Sequence, residues 1–162
     1  MTASTVVRAG LFAATLSLAG GAADAAMSPF RALAGSWTGG GVISLADGNQ
    51  ERLRCRASYD VDGSGTALRL NLKCASDSYK FDLASDVAYR DGEISGQWTE
   101  ASRNASGSIE GRASGDRIEA AARGPAFSAN LSLTTRGNRQ AVSIRPQQGA
   151  DISEVSLVLS RR

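Results

Sequence analysis

The feature of this sequence that most constrains its fold is the alternation of apolar and polar residues. The alternation begins at Trp37 and continues to the end of the chain, with short breaks rich in Gly, Asn, Asp and Ser. A period of two is typical of β-strands that bury one face, and such breaks are typical of hairpin turns. The sequence therefore predicts an all-β, up-and-down antiparallel meander of about ten strands with no helical crossover.

The hairpin around Ser64-Gly65 has the clearest predicted register. A two-residue loop there gives four apolar pairs, Val61–Leu68, Tyr59–Leu70, Ala57–Leu72 and Cys55–Cys74. One face of the hairpin is then wholly apolar, and a slip of one residue would expose it. Because Cys55 and Cys74 lie directly opposite each other, we predict a disulfide between them. A disulfide is typical of proteins outside the cytoplasm.

The other loops predict the remaining registers in the same way. The predicted pairs are Ile43–Leu53, Trp37–Tyr59, Cys74–Phe81, Tyr89–Ile94, Trp98–Ile109, Ala113–Ile118, Ile118–Leu131 and Leu133–Val142. A one-sided sheet of this length must bury its apolar face and protect its edges, and closure into a barrel does both. A flattened two-sheet sandwich with the same local contacts is the alternative.

The N-terminal segment, residues 1–25, is predicted to be a secretory signal peptide. Arg8 precedes an apolar run, and Ala23-Asp24-Ala25 offers small residues to a signal peptidase. The alternative, an uncleaved membrane anchor, is disfavoured because the run is short and contains Gly20 and Gly21. We therefore predict a periplasmic or secreted protein with no transmembrane span in its mature chain. Residues 26–34 form a lead-in segment, and residues 35–162 form a single barrel domain.

Composition excludes several classes of function. The 162 residues include no histidine, which rules out Ser-His-Asp and Cys-His catalysis and histidine-ligated haem or zinc. A formal net charge of +2 argues against a nucleic-acid partner held by a large basic surface. The only lysines, Lys73 and Lys80, lie on the predicted outer face, away from any inward serine that they would activate. We expect no enzymatic activity, no cofactor and no metal site.

The start of the first strand, Gly35-Ser36-Trp37, resembles the Gly-x-Trp start of the calycin superfamily, which contains lipocalins, fatty-acid-binding proteins and avidins. The continuation through Gly39 and Gly41 is more similar to the ten-stranded nitrobindins, which bind haem through a histidine that this chain lacks. The resemblance implies a closed barrel in which an arginine near the end of the last strand packs across the tryptophan. Arg161 has the inward parity for that contact with Trp37.

The predicted interior contains many Gly and Ala residues, which leave space inside a barrel of about ten strands. The larger inward side chains would form an apolar pocket; they are Trp37, Tyr59, Leu70, Phe81, Tyr89, Trp98, Phe127 and Leu131. The pattern thus predicts binding of an apolar small molecule or lipid. Two alternatives stay open: these side chains are core residues only, and the small residues mark strong coiling of the sheet.

Other functions remain open at this point. The segment from Ala34 to Trp37 is also similar to the start of small periplasmic metalloprotease inhibitors, which implies a protein partner bound by the lead-in or the turn tips. A purely structural envelope protein is a further alternative. The predicted outer face carries a basic stripe, Arg52, Arg54 and Arg56 with Arg69 and Lys73 across the hairpin. This stripe either contacts anionic lipid headgroups or an acidic partner, or is an ordinary solvated surface.

Overall fold

The structure, a computed structural model, describes residues 27–147 and 150–162. A short 3-10 helix at Pro29–Ala32 precedes ten strands. The strands are β1 (Gly35–Leu45), β2 (Gln50–Val61), β3 (Ala67–Ala75), β4 (Lys80–Arg90), β5 (Glu93–Glu100), β6 (Ala105–Ser114), β7 (Arg117–Arg123), β8 (Ser128–Arg136), β9 (Arg139–Pro146) and β10 (Ile152–Arg161). The predicted signal peptide lies outside the described residues.

The ten strands form a closed antiparallel barrel. Each strand pairs with its neighbours in the sequence, and β1 pairs with β10 to complete the sheet. The predicted meander and its closure are therefore confirmed. We call the end that holds the 3-10 helix and the β2–β3, β4–β5, β6–β7 and β8–β9 turns the floor. The opposite end, where β1 leads into β2 and β9 leads into β10, is the mouth.

Most of the predicted strand registers are confirmed, together with the disulfide between Cys55 and Cys74. Those at β1–β2, β5–β6 and β7–β8 are wrong by two residues. In the structure the pairs are Trp37–Ala57, Trp98–Gly107 and Ile118–Leu133. A shift of two residues keeps every side chain on its predicted face, so the assignment of inward and outward positions is unaffected.

The three shifted hairpins have longer turns than the sequence suggested. In the β5–β6 turn, the Glu100 carboxylate accepts hydrogen bonds from the backbone N–H groups of Ser102 and Arg103. These bonds hold residues 101–104 outside the ladder, and pairing resumes between Glu100 and Ala105. The sequence predicted a two-residue turn there because that prediction did not consider the Glu100 carboxylate, which competes for these backbone N–H groups.

Two interior glycines of β1 allow the barrel to close. A Cβ atom added to Gly39 would overlap the carbonyl oxygen of Val158, and one added to Gly41 would overlap that of Ser156. Both carbonyl groups belong to β10, the strand that closes the sheet. At this seam glycine therefore permits the close approach of two strands, which supports the sheet-coiling explanation of the small residues.

The segment before β1 is folded beneath the barrel. Phe30 and Leu33 are almost fully buried, and the Phe30 ring meets Tyr89 edge-on with 6.0 Å between ring centroids. Arg31 donates a hydrogen bond of 3.0 Å to the carbonyl oxygen of Gly63 in the β2–β3 turn. This segment therefore closes the floor and contributes to the core.

The same β2–β3 turn contains a carboxyl group, Asp62, whose pKa is lowered by hydrogen bonds. Asp62 accepts hydrogen bonds from the Ser64 hydroxyl and from the backbone N–H groups of Ala67 and Thr66. The bond from Ser64 has the largest effect, and together these bonds lower the pKa of Asp62 to about 2. A carboxyl group whose pKa is lowered by folding stabilises the native state above its unfolded pKa.

We therefore expect the contribution of Asp62 to stability to disappear as the pH falls from about 4 to about 2. The pKa is measurable by NMR titration of the Asp62 side chain. Urea unfolding of Asp62→Asn should show a weaker dependence on pH in this interval than the unsubstituted protein. An Asp62 pKa near its unfolded value of about 3.9 would contradict the expected hydrogen bonding.

Candidate functional site

The part of the barrel interior next to the floor is filled by side chains. Trp37 is completely buried and donates its indole N–H to the carbonyl oxygen of Leu33 at 2.7 Å. Its ring meets Tyr59 edge-on, with 6.5 Å between ring centroids. The Arg161 guanidinium lies 4.5 Å from the Trp37 ring centroid and donates a hydrogen bond to the carbonyl of Ala34. These contacts close the floor to solvent.

A buried hydrogen-bond chain crosses the interior above the floor. The Tyr59 hydroxyl donates to Gln140 Oε1 at 2.7 Å, and Gln140 Nε2 donates to the Thr135 hydroxyl at 3.3 Å. Burial raises the pKa of Tyr59, and the hydrogen bond to Gln140 opposes this only in part. Tyr59 therefore stays protonated across the ordinary pH range, and it acts as a structural donor in this series of hydrogen bonds.

The wall formed by β6–β9 is packed less completely than the floor. Seven of its inward side chains keep accessible surface although the barrel is closed around them; they are Ile109, Ile118, Ala120, Leu131, Leu133, Val142 and Ile144. We call this set of partly accessible aliphatic side chains on β6–β9 the open wall.

Aromatic side chains lie around the mouth. Phe81 stacks on Tyr79 with 6.4 Å between ring centroids, and the Arg103 guanidinium lies 4.8 Å from the Phe81 centroid. Phe127 follows β7 and meets Trp98 edge-on at 5.9 Å. Phe127 keeps 36% of its surface exposed. The mouth therefore presents aromatic surface.

The structure divides the predicted ligand-binding residues by their accessible surface. Three of them are buried at the floor: Trp37, Tyr59 and Tyr89. Four keep accessible surface: Leu70, Phe81, Phe127 and Leu131. Trp98 is buried beside Phe127 and donates its indole N–H to the Ser108 carbonyl at 3.0 Å. Direct contact with a ligand stays a prediction for all eight.

Sequence reasoning missed most of the open wall. Of its members only Leu131 was predicted to bind a ligand, because the prediction favoured the largest inward side chains. In the structure several of those large side chains fill the floor, while smaller ones such as Ile109, Val142 and Ile144 keep accessible surface. The sequence pattern that could have identified these residues is their position on the inward face of β6 and β9.

Glu100 is a buried carboxylate near the mouth. It accepts hydrogen bonds from the Asp82 N–H at 2.7 Å and from the hydroxyl of Ser102. Burial raises the pKa of Glu100, but its hydrogen bonds with Asp82, Ser102 and Arg103 lower it more, and the pKa lies below its ordinary value. A carboxylate held ionised by turn and strand donors fixes the turn rather than transferring protons.

Two solved structures resemble this barrel. Rv2717c from M. tuberculosis matches with a TM-score of 0.65 and 16% sequence identity, covering 81% of this chain and 93% of its own. The S-type phycobiliprotein lyase CPES from Guillardia theta matches with a TM-score of 0.60 and 10% identity, covering 82% and 90%. Both are barrels of the calycin-like type. This chain has a calycin-like fold. At such identities the likeness shows the fold alone.

Comparison of the sequence with known families and curated proteins finds no relative of this chain. No family model matches the chain, and no curated protein matches it. Within residues 27–147 and 150–162, no helix has the length and apolar character needed to cross a membrane. The same described residues contain no group of three or more His, Cys, Asp or Glu side chains placed to hold a metal ion.

Proposed function

We propose that this protein is a non-enzymatic binding barrel, exported from the cytoplasm, that holds an apolar small molecule or lipid in its lumen. The observation that carries the proposal is the open wall, whose inward aliphatic side chains keep accessible surface inside a closed barrel. A ligand covering this wall would remove apolar surface from water, at about 25 cal/mol per Å². The filled floor is the closed end of the site, and the mouth is its entrance.

The disulfide supports the exported location. Cys55 and Cys74 are joined across β2 and β3, and neither is a free thiol. Disulfides persist in oxidising compartments such as the periplasm and are rare in the cytosol. Export also agrees with the signal peptide predicted at residues 1–25.

A protease inhibitor that acts through the lead-in is disfavoured by the floor. Phe30 and Leu33 are buried against the barrel, and Arg31 anchors the segment to Gly63. These residues cannot occupy a protease cleft while they close the floor. An inhibitor that used the turns at the mouth would block its protease stoichiometrically, and a ligand in the lumen would not be required.

The substitution Leu131→Trp tests the lumen directly. Leu131 lies on the open wall opposite Ile144, and an indole ring at this position would occupy the proposed binding space. We expect the variant to bind an uncharged apolar fluorophore, N-phenyl-1-naphthylamine, at least about ten-fold more weakly than the unsubstituted protein. Because the ring enters free space, the free energy of unfolding should change by less than about 0.5 kcal/mol.

The control is Asn130→Trp, which places the same side chain at the adjacent, exposed position of β8. This variant should bind the fluorophore like the unsubstituted protein. A filled interior would respond differently, because overpacking a core costs about 1 to 3 kcal/mol. Such a loss in Leu131→Trp, together with no fluorophore binding by the unsubstituted protein, would contradict the proposal.

A further inference from the structure

We propose that the outer face of β1–β4 is a docking surface for membranes rich in anionic phospholipids. Its central feature is the arginine ladder, which we define as Arg52, Arg54 and Arg56. The three residues occupy alternate positions of β2, point outward and are exposed. This face lies outside the lumen, and the argument for it is independent of what the lumen binds.

Several outward basic residues elsewhere on the barrel have acidic partners supplied by the strand register. Arg69 pairs with Asp86 at 2.9 Å across β3 and β4, and Arg112 lies 3.6 Å from Glu93 across β5 and β6. Such pairs neutralise part of the outer surface.

The arginine ladder lacks such partners. Arg52 faces Val42, and Arg54 lies between Gly40 and Ala75. Neither β1 nor β3 offers a carboxylate at these positions. Among the ion pairs of the described residues, none includes Arg52, Arg54 or Arg56. The ladder is thus a row of cations that form no ion pair within the described residues.

The lower end of the ladder also contains a like-charge pair. Arg56 lies directly opposite Lys73, and like charges at opposed positions destabilise a sheet. Asp82 contacts Lys73 at 2.8 Å and compensates that side of the pair. Arg56 has Thr38 on its other side. An anionic group that binds beside Arg56 would compensate the remaining charge.

A groove gives anionic headgroups room on this face. It has a volume of about 1110 Å³, and its charged lining residues are Arg54, Arg56, Lys73, Lys80, Arg162 and Asp82. Residues with small side chains or none, such as Ala75 and Gly39, also line it. Arginine presents a planar fork that binds two phosphate oxygens at once, so the groove has the chemistry of a phosphate-binding surface.

Apolar side chains beside the ladder favour a lipid surface over a soluble anion. Val158 is 46% exposed on β10, and it pairs with Gly40, which in turn pairs with Arg54. Val42 lies beside Arg52 in the next row. An exposed valine contributes nothing to the binding of a soluble phosphate compound, whereas a membrane interface binds cationic and apolar groups together.

Vesicle co-sedimentation of the purified protein tests this surface. We expect binding to vesicles of phosphatidylglycerol and phosphatidylcholine, weakening with added salt, and no binding to vesicles of phosphatidylcholine alone. The double variant Arg54→Gln/Arg56→Gln should bind the anionic vesicles about 30-fold more weakly, because two cationic contacts with headgroups are lost. The control, Arg112→Gln/Arg117→Gln, removes the same charge from β6 and β7 and should change binding less than about three-fold.

Three results would overturn the proposal. The first is no binding to anionic vesicles, and the second is an equal loss in both double variants, which would mean that net charge alone acts. The third is glycerol 3-phosphate binding as tightly as the vesicles and displacing them, which would make the groove a site for soluble phosphates. Leu131→Trp should bind vesicles like the unsubstituted protein, so failure of this docking and failure of the lumen proposal are separate results.

Discussion

Replacing Trp37 with alanine is expected to lower the free energy of unfolding by about 3 to 5 kcal/mol. The indole is completely buried, its N–H is bonded to the Leu33 carbonyl, and its ring lies between Tyr59 and Arg161. Truncation removes the buried apolar surface and leaves a cavity in the floor. It also leaves the Leu33 carbonyl without its indole donor.

Chemical unfolding followed by circular dichroism measures this loss. The control is Phe127→Ala, which removes a large aromatic ring from the mouth, where it is 36% exposed. That variant should lose clearly less than Trp37→Ala, about 1 to 2 kcal/mol, because part of the Phe127 ring is already exposed to solvent. A loss below about 1 kcal/mol for Trp37→Ala would show that the floor does not hold the barrel together.

Removing the disulfide is expected to cost about 3 kcal/mol. Cys55 and Cys74 are separated by 19 residues in the sequence, and their crosslink restricts the unfolded chain. Both residues are buried on the inward face of β2 and β3, so substitution by alanine adds no polar group to the core. The barrel should keep its strand content while its resistance to urea falls.

The variant Cys55→Ala/Cys74→Ala is compared with the unsubstituted protein with and without a thiol reductant. Reduction should lower the stability of the unsubstituted protein by a similar amount and leave the variant unaffected. An unfolding free energy within about 1 kcal/mol of the oxidised protein would contradict a stabilising role for this bond.

The parts of the fold that the sequence predicts are those set by local rules. Alternation identifies the strands, and the turn predicted at Ser64-Gly65 gives the register that brings Cys55 to Cys74, although the loop itself spans residues 62–66. The prediction failed at β5–β6 because the Glu100 carboxylate takes N–H groups that a shorter turn would have used. Because the register error was two residues, the residues predicted to point inward are still the correct ones.

The sequence does not predict which inward residues are buried in the floor and which keep accessible surface. Parity shows that Trp37 and Leu131 both point inward, but it does not show that one lies at the floor and the other on the open wall. That distinction depends on the tilt of the closed sheet and on the segment that carries Phe30 beneath it. Both are set by contacts between residues far apart in the chain, such as Phe30 with Tyr89.

Native mass spectrometry tests the central claim most directly. The protein, produced with export and purified without detergent, should appear with a mass excess that organic extraction releases as an apolar small molecule. Asn130→Trp should carry the same molecule, and Leu131→Trp should carry little or none. A protein that appears only at its polypeptide mass, and that still takes up no apolar fluorophore when one is supplied, would contradict the binding barrel.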